Sequence, residues 1–405
     1  MFNSSTRTTG VLLVFGIFFT LSCTTLSTTT KNAESLYLES NYSQALAAVD
    51  REISDEPDNP KIKILKANIL KGYAVNDRSP SERKVVYQNL RNTVEEIRFS
   101  GSQFNAVTDS LLNSAWMHEQ SEGVRYLQQD DSENLNQYFD FVISHFNNAI
   151  TIIPDSVVTY NLKATTHYRH GDLGDAIATL ELIEESGITR PPETCEKLAF
   201  LYLEAGMIGR SIDIYEGLTT NHPQNEMYRR GLVNAYILGE YHEDSVRLLE
   251  ALAEEYPNRA EYREALATER FYLLSSEAHQ RISGSQTDPI NVESYTTSLS
   301  EIATIFRDVD TTLPSSEERK ERIAEFHLNA ADLLYNIADF ANEGTDNREL
   351  ASHEAESHLR DSIPYLRSLF ESQSENLAYG RRLLKVYKEL NMEQEAESLE
   401  RQITL

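Results

Sequence analysis

The side chains able to do chemistry in this chain are few and widely spaced. His167 and His170 stand three residues apart and His353 and His358 five apart; imidazoles near a helix end are candidate metal ligands. Neither pair has a Cys or a Glu-His partner motif beside it, so both are expected to be ordinary surface histidines and no metal site is predicted. Gly171-Asp172-Leu173-Gly174 lacks the third glycine and the preceding strand of a dinucleotide fingerprint and reads as a helix turn. The carboxylate pairs Glu184-Glu185 and Glu254-Glu255 end helices on solvated faces, where no general acid and base need meet. The sequence contains no phosphate loop, nucleophile elbow or zinc-ligand spacing. A non-enzymatic chain without cofactors is expected. The two cysteines, Cys23 and Cys195, exclude a disulfide framework. Cys195 has Lys197 as its only basic neighbour and is expected to be a half-buried, unreactive thiol.

The elements that carry these residues follow one period. Between Val157 and Arg259, small residues recur at Ala176, Ser211 and Ser245, and Pro223 and Pro257 lie 34 residues apart. Such a period predicts stacked helix-turn-helix units, each too small to bury its own apolar face and stabilised by its neighbours. From Pro192 to Asn225, Leu198, Ala199, Phe200 and Tyr202 share one side of a first helix, which Gly206 ends in a left-handed conformation. Ser211, Ile212, Tyr215 and Leu218 mark a second helix that Pro223 stops. A large side chain at Ser211 would push two crossing helices apart.

This pattern resembles the tetratricopeptide repeat family. Val157 to Pro191 supplies Ala164, Gly171, Ala176 and Ile183; Glu226 to Arg259 supplies Leu232, Tyr236, Ser245, Leu249, Leu252 and Pro257. Partial units hold Tyr42, Ala45, Leu46, Ile53 and Pro57 near the start and Leu383, Tyr387, Ala396 and Ile403 near the end. The resemblance implies an all-α fold, a right-handed α-solenoid of stacked helix-turn-helix repeats with longer non-standard helical pairs. It also implies a concave groove walled by the first helix of each repeat. Carried onto this sequence, the partner-contacting positions are Asn161, Thr165, Tyr168 and Arg169, then Glu196, Phe200 and Leu203, then Arg230, Asn234 and Ile237. Aromatic and aliphatic anchors among mixed charges suit an extended or helical peptide. Of the carboxylate clamp of chaperone-binding members, Arg230 and Asn234 are only fragments.

At the start, a single cation, Arg7, precedes the apolar run Val11 to Leu21, too short for a comfortable membrane span, which predicts a secretory signal. Leu21-Ser22-Cys23 resembles the lipobox of bacterial lipoproteins, with Thr20 where that family usually has Leu. The resemblance implies lipidation at Cys23 and, with Thr24 rather than Asp next, an outer-membrane lipoprotein facing the periplasm. Thr24 to Thr30 is hydroxyl-rich with almost nothing to bury and is expected to be a tether.

The expected organisation is a signal peptide (1–22), a Ser/Thr-rich tether after Cys23 (23–31) and N-terminal repeats (32–77), then a long-helix insertion or divergent repeats (78–130). A central array (131–282) and C-terminal helical pairs with a final repeat (290–405) complete it. Trp116, at helical spacing from Leu112, is expected in the core. Asp130, Asp131 and Ser132 are capping candidates, Ser283 to Pro289 a linker cutting short a second helix, Ser315 and Glu318 a capping box, and Pro364 a kink. With 64 acidic against 37 basic residues, the net charge is −27, which makes nucleic acid a poor partner. The expected function is a membrane-anchored scaffold that docks a partner peptide or another envelope protein. Two alternatives remain: an accessory subunit of an envelope transport or secretion machine with a small-ligand cavity lined by the Phe- and Tyr-rich 130s to 160s, and a structural spacer acting through the helices at 315–371.

Overall fold

The computed structural model describes residues 28–128, 132–284, 290–340, 346–373 and 376–404. Cys23, the expected signal peptide, most of the tether, Asp130, Asp131 and the end of the expected linker lie outside the described residues. The described residues form eighteen α-helices and no strand. The chain divides into two compact units, one up to Thr189 and one from Arg190. In each, helix-turn-helix pairs stack in chain order, an all-α solenoid-type arrangement.

The first unit contains α1 (Thr28–Leu38), α2 (Tyr42–Asp55), α3 (Pro60–Asp77), α4 (Arg83–Phe99), α5 (Asn105–Leu127), α6 (Ser132–Ile152), α7 (Val157–His170) and α8 (Leu173–Glu185). Each helix packs on the next, and the first helices of successive pairs, α1, α3, α5 and α7, also touch in succession. Asn59 starts α3 by accepting the Lys61 N–H at 3.1 Å, with Pro60 at the first helical position, where its missing N–H costs nothing. Gly171 ends α7 with φ +95°, letting the Asp172 N–H reach the His167 carbonyl at 2.9 Å. Leu70, Tyr87, Leu90, Val94, Leu111 and Ala115 form one core across α3, α4 and α5, and Trp116 packs on it while donating to Thr159 Oγ1 at 3.1 Å. The long α5–α6 pair is stacked between α3–α4 and α7–α8. The tether expectation needs correction at its end: α1 begins at Thr28, and the buried Thr30 hydroxyl donates to Glu52 on α2. The start of the helix thus packs against α2 through a partner distant in sequence.

The second unit contains α9 (Pro192–Glu204), α10 (Ile208–Asn221), α11 (Glu226–Leu238), α12 (His242–Glu255), α13 (Ala260–Ser283), α14 (Val292–Thr312), α15 (Glu317–Phe340), α16 (Asp346–Ser372), α17 (Leu377–Glu389) and α18 (Glu393–Thr404). Gly206 has φ +71°, as its place after α9 requires. Ser211 is fully buried and donates to the Ala199 carbonyl at 2.9 Å, so this small residue both admits the crossing helix and ties the two backbones together. The α15–α16 pair approaches closely because alanines line it: Ala330, Ala331, Ala338, Ala351 and Ala355 are all buried. Ile323, Phe326, Leu334, Ile337, Leu359 and Leu366 fill the remaining core. Each such large side chain contributes about 1.5–3 kcal/mol on burial.

Two expectations are corrected here. Residues 260–283 are one continuous helix rather than a first helix with a truncated partner, because Ala267, Phe271 and Ala278 continue a buried stripe against α14 and α15. At α15 the capping hydroxyl is that of Ser316, which accepts the Arg319 N–H at 3.2 Å, one residue after the expected Ser315. Pro364, where a kink is expected, lies inside α16.

One position is tight enough to predict. A Cβ built on Gly231 of α11 would lie 2.3 Å from the Tyr215 ring of α10. Gly231→Ala is therefore expected to destabilise by about 1–3 kcal/mol through overpacking, despite alanine's better helix propensity. Denaturant unfolding measures it, and Tyr215→Leu in the same chain should restore most of the loss.

Candidate functional site

The expected groove positions fall in both units. In the first, α7 carries all four. Asn161 and Thr165 are half-buried, with the Thr165 hydroxyl donating back to the Asn161 carbonyl at 2.8 Å. Tyr168 is exposed. Arg169 donates to the Leu127 carbonyl at 2.6 Å, tying α7 to the end of α5.

In the second unit, α9 and α11 are adjacent first helices. Phe200, Arg230 and Asn234 are exposed along them. Glu196 is half-buried; burial pushes its carboxyl up, while Lys197 and Arg230 draw it back. Leu203 and Ile237 are partly buried and pack against the cores of the α9–α11 and α11–α13 region, so they hold the wall more than they line it. The result is a patch with one large aromatic, one guanidinium, one amide and one carboxylate on a rigid backing. It can dock a segment with apolar and mixed-charge character; it brings together no nucleophile and base.

Sequence reasoning missed the most concentrated polar arrangement in the first unit. Glu119 of α5 is completely buried. Its Oε1 accepts from Arg83 Nη1 at 2.8 Å and from the Tyr87 hydroxyl at 2.6 Å, and its Oε2 from His145 Nδ1 at 2.7 Å and Asn148 Nδ2 at 3.3 Å. Arg83 also donates to the Val75 carbonyl at 3.2 Å and Asn148 to the Pro80 carbonyl at 2.8 Å. Burial alone would raise the Glu119 carboxyl, but hydrogen bonds from His145 and Tyr87 and the Arg83 charge outweigh it and bring it to about 2. The signal was a carboxylate on the buried stripe of α5, between Ala115 and Gly123. No donor in the sequence identifies itself as its partner.

The histidine expectations are corrected. His353 is exposed as expected, but His358 is buried and meets His327 of α15, Nδ1 to Nδ1 at 2.9 Å, against Phe326. His167 is also buried, whereas His170 lies at the surface edge, stacked on Phe139 at 3.8 Å between centroids, with its Nδ1 2.8 Å from Asp172 Oδ2. Both buried rings lie on the core-facing stripe of a helix, which a local spacing argument does not see. Burial lowers the His167 pKa, and Lys163 lowers it further. Among the described residues, His167, Asp172 and Asp175 are the group whose ligand atoms lie close enough together to hold a metal ion. Cys195 is half-buried, its thiol pushed up by burial, as an inert cysteine should be. Glu184, Glu185, Glu254 and Glu255 are exposed, and Glu255 pairs with Arg229. The aromatics of the 130s to 160s pack on one another and on neighbouring helices: Phe146 is fully buried, and Tyr126 lies 5.1 Å from Tyr138 and 4.9 Å from Phe141.

No protein-family model matches the chain, and no curated protein matches it. Solved structures similar to it include a tetratricopeptide repeat protein from Parabacteroides merdae, at 10% identity over 81% of this chain and 97% of that one, TM-score 0.34. The C-terminal part of a TPR repeat-containing protein from Cytophaga hutchinsonii is similar at 12% identity over 72% of this chain and 98% of that one, TM-score 0.34. A chain of the Naa15/Naa10 complex bound to HypK is similar at 13% identity over 92% of this chain, TM-score 0.33, and this chain spans 62% of its length.

Proposed function

We propose that this chain is a non-enzymatic interaction scaffold, anchored through lipidated Cys23 to the periplasmic face of a bacterial outer membrane, which docks a segment of another envelope protein. The observation that carries the docking part is the exposed set Phe200, Arg230 and Asn234 on two adjacent first helices whose own apolar faces are already buried. Such side chains are held in place by the stack and lose little freedom when a partner arrives. Large aromatics and arginines are also the residues in which binding energy concentrates. The anchoring part rests on the residues around Cys23. Among the described residues no helix is long and apolar enough to cross a membrane.

The test places a photo-crosslinker at Lys197, on α9 between Glu196 and Phe200, and uses detergent-solubilised envelopes. Phe200→Ala and Arg230→Glu are expected to lower the yield of one specific adduct roughly tenfold or more each. Because both side chains are exposed, unfolding free energy should stay within about 0.5 kcal/mol of the parent. In parallel, Cys23→Ala should leave the chain unacylated and no longer sedimenting with membranes. Adducts that ignore both substitutions would refute the groove; a soluble, unmodified parent chain would refute the anchor and leave the groove standing.

A further inference from the structure

We propose that His167, Asp172 and Asp175 form a binding site for one divalent transition-metal ion of the zinc class at the turn between α7 and α8. His167 is 8% exposed, and its Nδ1 is fully buried with no hydrogen-bond partner among the described residues. A buried ring nitrogen left in this state costs free energy unless something at the site uses its lone pair or proton. It points at carboxylates: Nδ1 lies 3.9 Å from Asp172 Oδ2, and the ligand atoms of the three residues are all within 4.8 Å of one another.

Donor atoms about 2.0–2.2 Å from a tetrahedral zinc ion sit roughly 3.4 Å from each other. The site therefore needs a contraction of about an ångström. The residues able to supply it are the carboxylates, since Asp175 is exposed on the first turn of α8 and Asp172 half-exposed at its start. The imidazole stays fixed by Phe139, whose ring meets it edge-on at 5.5 Å, and by the Asp172 N–H bonded to the His167 carbonyl.

Asp172 is the second independent sign. It occupies the N-cap of α8, the usual place for a carboxylate to accept backbone N–H groups, yet its side chain makes no capping bond. It is turned instead toward the two histidines, with His170 Nδ1 at 2.8 Å. A histidine stacked on Phe139 and bonded to a ligand carboxylate is the outer support that metal sites use to orient their ligands. An imidazole nitrogen among the donors disfavours calcium and magnesium, which prefer all-oxygen shells. Three protein ligands leave a fourth position for water. Lys163, one helical turn before His167, exerts its charge on both His167 and Asp175 and competes with the ion for the site.

The experiment titrates the untagged full chain with zinc chloride in calorimetry against a competing chelator, and repeats it with cobalt(II) read by visible absorbance. One equivalent is expected, together with a rise in melting temperature. Asp175→Asn, at an exposed position that should leave the fold intact, is expected to remove both the stoichiometric binding and the thermal shift. His170→Ala should weaken binding about 10- to 100-fold without abolishing it. Lys163→Met should tighten it, and His353→Ala, at an exposed histidine of the second unit, should change nothing. Binding that survives Asp175→Asn unchanged, or no stoichiometric binding by the parent chain, overturns the assignment.

Discussion

Glu119→Ala should lower the stability of the first unit by about 3–5 kcal/mol, the range for removing one partner of a buried ion pair. The loss is large because four donors converge on that carboxylate, and Arg83, itself nearly buried, would keep its charge without a counterion. The Tyr87 hydroxyl, His145 and Asn148 would lose acceptors in the same step. Glu119→Gln should be milder but still costly, since an amide keeps one acceptor and points new donors at Arg83 or His145. Exchanging Glu119 and Arg83 together for Leu and Met should recover much of the loss, because apolar replacement of a whole buried pair is often neutral. The measurement is denaturant unfolding with hydrogen exchange of α4, α5 and α6. A drop below about 1 kcal/mol for the alanine variant would mean that water replaces the carboxylate and that the arrangement does not hold these helices.

The same carboxylate makes the first unit acid-sensitive. Its folded pKa of about 2 lies below the ordinary 4.5. The unfolded chain therefore binds the proton first, and this stabilisation is complete above about 4.5 and lost as pH falls toward 2.

In the second unit the acid limb should begin about two pH units higher, driven by His327 and His358. Burial lowers His327 to about 3, helped by the charges of His358 and Arg307, and burial lowers His358 to about 4. These are histidines whose folded pKa is depressed, so the unfolded chain takes up protons between pH 6.5 and those values while the folded chain does not. Stability is fully present above 6.5 and falls by a few kcal/mol as pH drops to about 4, on the order of 1.4 kcal/mol for each tenfold difference in proton affinity between the folded and unfolded chain. The surroundings oppose protonation: Phe326 packs against both rings with Phe306 against it, Tyr365 stacks on His327, and Arg307 adds a like charge. Asp361 stands on the same helix as His358, and its own carboxyl is pushed up by burial, against the pull of Arg307. Protection of the amides in α15 and α16, measured against the intrinsic exchange rate at each pH from 7 to 4, should fall before that of α4 to α6. Replacing both histidines with leucine should flatten this limb while leaving the limb from Glu119 unchanged. An unaltered pH profile in the double variant would show that protonation is absorbed without opening the pair.

How far the sequence reaches can be read from particular residues. The period of small residues and closing glycines was enough for the helix pairs around Ala176, Gly206, Ser211 and Ser245, because those constraints act between neighbouring helices and repeat at fixed distance along the chain. Helix type, the order of pairs and the half-buried inert Cys195 follow from the same local rules of periodicity, turn geometry and charge. Of the ten groove positions, the first-helix placement was legible, but not which side chains the neighbouring helices would cover: Leu203 and Ile237 are drawn into packing, and Arg169 is spent on the Leu127 carbonyl.

What only the tertiary structure decided are the partnerships across long separations. Glu119 finds Arg83, Tyr87, His145 and Asn148 from two other helices, His358 finds His327 rather than His353, and Thr30, on a stretch expected to be tether, finds Glu52. Periodicity records which face of a helix is turned inward, since burial acts on every residue of that face alike. It does not record which polar group waits on the opposite helix, because a hydrogen bond is a property of two side chains whose separation is set only when the stack closes.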